Sequence, residues 1–258
     1  MQETVSDLKV LSIDIGGSHI KATILNSRGE LQMEYSRVAT PSPANPANVI
    51  STIKNLVQKF PEYNKVSVGF PGYVKDGTII TAPNLGTEYW KNVNLAKKLE
   101  EELDQPVRVV NDADMQGLGV VSGKGLEMVV TLGTGFGTAL LQDGYLLPHL
   151  ELAHHPIGKK DSYDEYIGEK ALEKEGKEKW NRRMEKVIKV LKTVFNYDFL
   201  YIGGGNAKNL DFPLDSNMKL ISNKEGIKGG ARLWLMKETP INNTVNSSEN
   251  KLSGVQKD

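Results

Sequence analysis

The sequence predicts an α/β protein of two related lobes facing each other across a cleft. Short β-branched runs alternate with longer stretches of helical periodicity, which is the pattern of strands and helices packed in shared layers. One unit of strand, glycine turn, strand, polar-glycine turn and strand occurs twice, over residues 9–31 and again over 127–147. An Asn-Asp pair, Asn111-Asp112, falls at the end of a buried strand, where an open α/β sheet places its ligand groups.

In the first copy, Lys9–Ile15 is a strand that stops at Gly16-Gly17, and 20–25 is a second. Ser27-Arg28-Gly29 turns the chain into a third strand near 31–37, and the Pro-rich stretch 41–46 is a loop. Val49, Ile50, Ile53, Leu56, Val57 and Phe60 then recur at helical spacing. Lys65–Phe70 is a strand stopped by Pro71-Gly72, Leu95–Leu103 is a helix, and 106–110 is a buried strand. The second copy opens with a strand at 127–132, the turn Gly133-Thr134-Gly135 and a strand at 137–141. Gln142-Asp143-Gly144 leads into a third strand at 145–147. Residues 165–192 form a charged helical region with Met184, Val187, Ile188 and Leu191 on its apolar stripe, and 199–202 is a strand running into Gly203-Gly204-Gly205. The stretch 226–236 reads as a last helix despite its glycines, because small residues allow close packing. The expected lobes are 1–112 and 113–238, with that helix packing back on the first. Residues 239–258, rich in Asn and Ser and without aromatics, are expected to be a disordered tail.

Composition narrows the function. Lys+Arg and Asp+Glu both total 32 in 258 residues, so no net field favours nucleic acid or an anionic membrane. The absence of cysteine removes disulfides, thiolate nucleophiles and Cys-ligated zinc, and suits a reducing compartment. No apolar run approaches the ~18–20 residues of a membrane span, and the polar start lacks the apolar stretch of a secretory signal. The cytoplasm is the expected location.

The segments that can carry chemistry lie at strand ends. In Asp14-Ile15-Gly16-Gly17-Ser18, glycines after a strand let backbone N–H groups approach a phosphate, and the acid can hold Mg²⁺ through its water. A plain β-turn with a solvated Asp is the alternative. Neither a Walker loop nor a dinucleotide fingerprint is present. Gly133-Thr134-Gly135-Phe136-Gly137 is a second glycine loop at the equivalent point of the second copy, as a phosphate chain gripped from both sides would need. Asn111-Asp112-Ala113-Asp114 opens a helix; one residue suffices as its cap, and a carboxylate there could take the proton of an attacking hydroxyl. In Glu151 to His155 (ELAHH), Glu151 and His154 are three apart and share a face on a helical turn, able to bond neighbouring sugar hydroxyls. With four His and no Cys, a protein-ligated metal is not expected.

DIGGSHIKATIL, GFPGYV, APNL followed by Trp90, VVNDADMQGLG, VTLGTGFGTALLQDG and ELAHH together resemble the ROK family of sugar kinases, closest to its polyphosphate glucokinase branch. The resemblance spans residues 9–236 and implies a two-lobed actin/hexokinase-like (ribonuclease H-like) fold with a central cleft. It implies that Asp112 is the base on the sugar 6-hydroxyl. Asn84, Asn111, Glu151 and His154 would hold the sugar, with the Gly72 turn beside them. Asp14, Gly16, Gly17 and Ser18 match the first phosphate loop, Thr134 and Gly135 the second, and Gly203, Gly204 and Gly205 the nucleoside side of the donor site. The zinc-binding Cys cluster of most ROK proteins is absent, so no structural zinc is expected; Ser18 replaces a Thr, and Ala153 a Gly.

The function so implied is a hexose kinase, glucose being the expected sugar, fed by polyphosphate, ATP or both with Mg²⁺, and acting as a homodimer. Mannose, fructose or an N-acetylhexosamine are alternative sugars. A non-catalytic sugar sensor is a second class, but the first phosphate strand begins within about ten residues of Met1, so an N-terminal helix-turn-helix is not expected. An ATPase or actin-like assembly module is a third class and would not need ELAHH. For a polyphosphate donor, Lys174, Lys177, Lys179, Arg182, Arg183 and Lys186 form a candidate basic track. Glu173, Glu175, Glu178 and Glu185 on the same stretch offer the alternative of an ordinary salt-bridged helix.

Overall fold

Both copies of the repeated unit fold into five-stranded sheets of one topology. The structure, a computed structural model, describes residues 8–158 and 160–235, so the expected tail and the last residue of the expected final helix lie outside the described residues. The first half runs β1 (Lys9–Ile15), β2 (His19–Asn26), β3 (Ser36–Ala39), α1 (Pro46–Val57), β4 (Lys65–Phe70), β5 (Val74–Lys75), β6 (Thr78–Ile79), α2 (Thr87–Trp90), β7 (Val93–Asn94), α3 (Leu95–Leu103) and β8 (Val107–Asn111). The second half runs α4 (Asp112–Val120), β9 (Leu126–Leu132), β10 (Phe136–Gln142), β11 (Tyr145–Leu146), α5 (Tyr163–Ile167), α6 (Glu169–Glu175), α7 (Lys177–Phe195), β12 (Phe199–Gly203), β13 (Met218–Leu220), α8 (Asn223–Gly226) and α9 (Gly229–Leu235).

The sheet orders are β3-β2-β1-β4-β8 and β11-β10-β9-β12-β13. In each, the first strand of the unit pairs antiparallel with the second and parallel with the fourth. The central strands are buried on both faces, which explains their near-continuous apolar runs. The third strand begins later than the expected 31–37: after an isolated bridge between Leu25 and Leu31, the chain leaves the ladder and rejoins β2 at Ser36–Ala39. Met33 is held in the detour, where its carbonyl accepts from the buried Thr23 hydroxyl at 2.8 Å.

Helices cover the sheets outside and fill the space between them. α1 and α3 pack their apolar stripes on the first sheet, and α5, α6 and α7 theirs on the second, around the fully buried Trp180. The expected single helical region at 165–192 divides at Gly168 and Gly176; the latter has φ +76°, which a helix cannot continue through. Trp180 ties the pieces together by donating to the Ile167 carbonyl at 2.8 Å.

Between the sheets lie α4 and α9. Small residues permit this: a Cβ on Gly229 would run into the Met115 carbonyl of α4, and one on Gly117 would meet the Leu141 side chain at 3.0 Å. The last helix therefore forms as its glycines suggest, although it starts at Gly229, after the short α8. Two serines opposite each other on β1 and β4 anchor this layer. Ser12 donates to the Ile227 carbonyl at 3.0 Å and Ser67 to the Gly230 carbonyl at 2.6 Å, so both buried hydroxyls are satisfied.

Candidate active site

A cleft of about 500 Å³ opens between the two sheets above the start of α4. Its floor is set by the junction of β8 and α4. Asn111 is the cap: its side-chain oxygen accepts from the Ala113 and Asp114 N–H groups at 2.8 and 3.4 Å. Its amide donates to the Gly72 carbonyl at 3.1 Å, binding the Pro71-Gly72 turn to the helix start. A side chain at Gly72 would strike the Thr81 backbone, so only glycine lets the turn lie this close. Asp112, relieved of capping, is the first helical residue and lines the cleft.

Its setting changes its chemistry. Desolvation first, and then the negative charges of Asp14 and, less, Asp114, push the Asp112 carboxyl up to about 7; the Ala113 N–H and His149 offset part of this. Asp112 is thus a carboxylate with the proton affinity of a histidine, suited to taking a proton near neutrality.

Two glycine loops flank it. Asp14, near the end of β1, and Gly16 and Gly17, just after it, lie on one wall, and Gly133, Thr134 and Gly135 join β9 to β10 on the other. The second loop is braced from behind. Asn206 donates its backbone N–H to the Leu132 carbonyl at 2.8 Å and its side chain to the Gly133 carbonyl at 3.1 Å. Gly204, at φ +88°, passes so close to the Leu132 peptide that no side chain fits. Gly204 and Gly205 line the same cleft. Asn84, Glu151 and His154 complete its rim. The ELAHH segment forms the single turn expected of it, a short 3₁₀ helix at Leu152–His154 with Glu151 as its cap, which sets the His154 ring 3.7 Å from the Glu151 carboxylate. Of the residues singled out in the sequence, Ser18 and Gly203 do not line the cleft; Ser18 is exposed on the loop tip, and Gly203 is buried at the end of β12.

Other groups here are given no role by the sequence motifs. Asp114, in the first turn of α4, and His149 are both only 8% exposed and form an ion pair at 3.0 Å, although the N–H is not aligned for a full hydrogen bond. The other ring nitrogen of His149 lies 3.4 Å from Glu151, and the ring stacks on Tyr73. Burial works against a charged imidazole, but the two carboxylates outweigh it and push His149 up to about 10. A buried cation therefore stands behind Glu151 at neutral pH. Asp164 takes the Phe136 N–H at 2.6 Å beside Gly135. Lys21 and Arg37, on β2 and β3, also line the cleft.

The structure bears on both readings of the candidate basic track. On α6 and α7, Lys179 and Arg183 both pair with Glu175, Arg182 with Glu178, and Lys177 with Asp211. Arg183 and Lys186 also lie over the Tyr166 ring. Four of the six cations are thus paired, which favours the salt-bridged alternative, and none of the six lines the cleft.

The ROK family model matches residues 10–191 of this chain. Polyphosphate glucokinase of Mycobacterium tuberculosis (strain CDC 1551 / Oshkosh) is 32% identical over 236 residues, covering 85% of this chain and 88% of that protein. The crystal structure of the inorganic polyphosphate/ATP-glucomannokinase from Arthrobacter sp. strain KM superposes with a TM-score of 0.78 at 30% identity, over 88% of this chain and 98% of that one. That of a ROK family glucokinase from Streptomyces griseus, in complex with glucose and AMPPNP, gives 0.73 at 19% identity over 87% of this chain and 98% of that one, a likeness of fold. The paired sheets are the two-lobed actin-like fold.

Proposed function

The chain belongs to the ROK family, and on that premise we propose that it is a glucokinase that transfers a phosphoryl group to the sugar 6-hydroxyl from polyphosphate, ATP or both. The observation that carries this reading is Asp112, a carboxylate with raised proton affinity set between two glycine loops and a rim of hydroxyl-binding groups. Asp112 takes the proton of the 6-hydroxyl as that oxygen attacks the terminal phosphorus. The bond from phosphorus to its bridging oxygen breaks, and the shortened polyphosphate or ADP leaves with the electron pair. Gly17, Thr134 and Gly135 line the cleft, and their backbone N–H groups would bind the non-bridging oxygens; the Gly16 N–H is already given to the His19 carbonyl at 2.9 Å. Asn84, the remaining amide hydrogen of Asn111, Glu151 and His154 hold the sugar.

Asp14 fits a donor-borne Mg²⁺: its carboxylate is partly exposed on the cleft, and among the described residues no cluster of three or more ligating side chains forms a protein cage. Such an ion, carried by the phosphates and their water and steadied by Asp14, would offset charge on the leaving group.

A coupled assay for glucose 6-phosphate, run in parallel with polyphosphate and ATP, tests the reading. Glucose-dependent product with at least one donor is expected; none with either would overturn it.

His149 gives a sharper check on the sugar site. Replacing it with Gln removes the cation behind Glu151, and the sugar KM should rise about tenfold, in line with the ~1–3 kcal/mol cost of a buried group losing its partner. The acid limb of kcat/KM should also move to higher pH, because Asp112 loses a positive neighbour. A folded variant with wild-type KM and an unmoved limb would show that Glu151 is held without it.

A further inference from the structure

A polyphosphate chain is longer than the part gripped at two glycine loops, so its remaining phosphates need cations outside them. The described residues place two at the cleft. Lys21 and Arg37 are the lysine and arginine side chains that line it. They lie directly opposite each other on β2 and β3, and Lys21 is in turn opposite Asp14 on β1. Directly paired residues in an antiparallel sheet point to the same face. Asp14, Lys21 and Arg37 therefore form one row running from the first glycine loop to the edge strand. Lys21 reaches back to Asp14 at 3.3 Å, whereas Arg37 is exposed and has no hydrogen-bond or ion-pair partner among the described residues. An exposed guanidinium at the end of such a row presents a fork of donors that matches phosphate oxygens.

We propose that Lys21 and Arg37 on the β2–β3 edge form an outer anion subsite that receives the phosphates of a polyphosphate chain beyond those held at the glycine loops. This rests on the donor reading above. It also moves the polyanion path from α6 and α7, where four of the six cations pair with acids, to the opposite lobe. The subsite takes a linear polyanion and has no part in holding a nucleoside, for which the cleft offers Gly204 and Gly205 on the other wall.

Arg37→Gln tests this on the full chain, since an exposed side chain on an edge strand can be replaced without disturbing the core. Two readouts are taken: KM for long-chain polyphosphate, inorganic triphosphate and ATP, and calorimetric binding of long-chain polyphosphate without sugar. The variant should raise KM and weaken binding for long chains by about three- to tenfold, leave triphosphate and ATP within about twofold, and show a shallower loss of affinity with salt. Equal effects on all donors, or none on long chains, overturn the subsite even where the wild type turns over polyphosphate. Wild-type protein that binds long chains through Arg37 but phosphorylates sugar only from ATP would leave the subsite standing and overturn polyphosphate as donor. Absence of binding in the wild type overturns the subsite, with ATP turnover then judging the kinase reading separately.

Discussion

Asp112→Asn should lower kcat by about 10²–10⁴-fold, the usual loss when a general base is removed, while the sugar KM stays within about threefold. Asn keeps the shape at the first position of α4 and a side-chain oxygen able to accept the Ala113 N–H, so the variant should fold and bind sugar normally. Retention of more than about a tenth of wild-type kcat would remove Asp112 from the role of base. Two pH measurements follow from the same residue. Because the ionised form is required, kcat/KM should fall about tenfold per unit below a limb near 7. Stability should show the opposite cost. In the unfolded chain the carboxyl ionises near its ordinary 3.8, but in the folded protein it keeps its proton up to about 7. The folded state binds more protons across that window, so the group erodes stability as pH rises through it, fully so above 7. The Asn variant escapes this, and its Tm should exceed that of the wild type at pH 8 but not at pH 4. An equal Tm at pH 8 would mean that the carboxyl is not desolvated as described.

The second large effect concerns the sugar. A site whose buried polar groups are committed to substrate hydroxyls rejects an analogue lacking one by ~10⁴-fold or more when the partner is left fully unpaired, and by less where water can replace it. Glu151 is only 28% exposed and His149 presses on it from behind, so its lost partner would not be readily replaced. Monodeoxyglucose lacking the hydroxyl that Glu151 accepts should therefore lose at least about 10²-fold in kcat/KM. His154 is 57% exposed, and the hydroxyl it contacts should matter less. Glu151→Gln should flatten the discrimination at its own position and leave the others intact. Equal efficiency for glucose and all its monodeoxy analogues, apart from the 6-deoxy sugar that lacks the acceptor, would refute the pocket.

How much of this was legible beforehand depends on the range of the interactions concerned. Apolar alternation and glycine turns are local signals, so the sequence alone determined the repeated hairpin, the bounds of β4 and α3, and the strand-end position of Asp112. Family motifs added most of the residues that meet in the cleft. Local signals failed where a glycine's backbone conformation mattered, as at Gly176, which cuts one charged stretch into separate helices. Along α6 and α7 the local spacing allowed both a basic track and a salt-bridged helix, and the pairs Glu175–Lys179 and Glu178–Arg182 are of the second kind. Only the tertiary structure decided that His149 sits between Asp114 and Glu151, that Ser12 and Ser67 anchor the last helix between the sheets, and that Lys21 and Arg37 stand in one row. These arrangements join segments distant in the chain through strand register and helix packing. A charged or polar residue gains its partner, and hence its proton affinity, only when folding removes the water that would otherwise have served it.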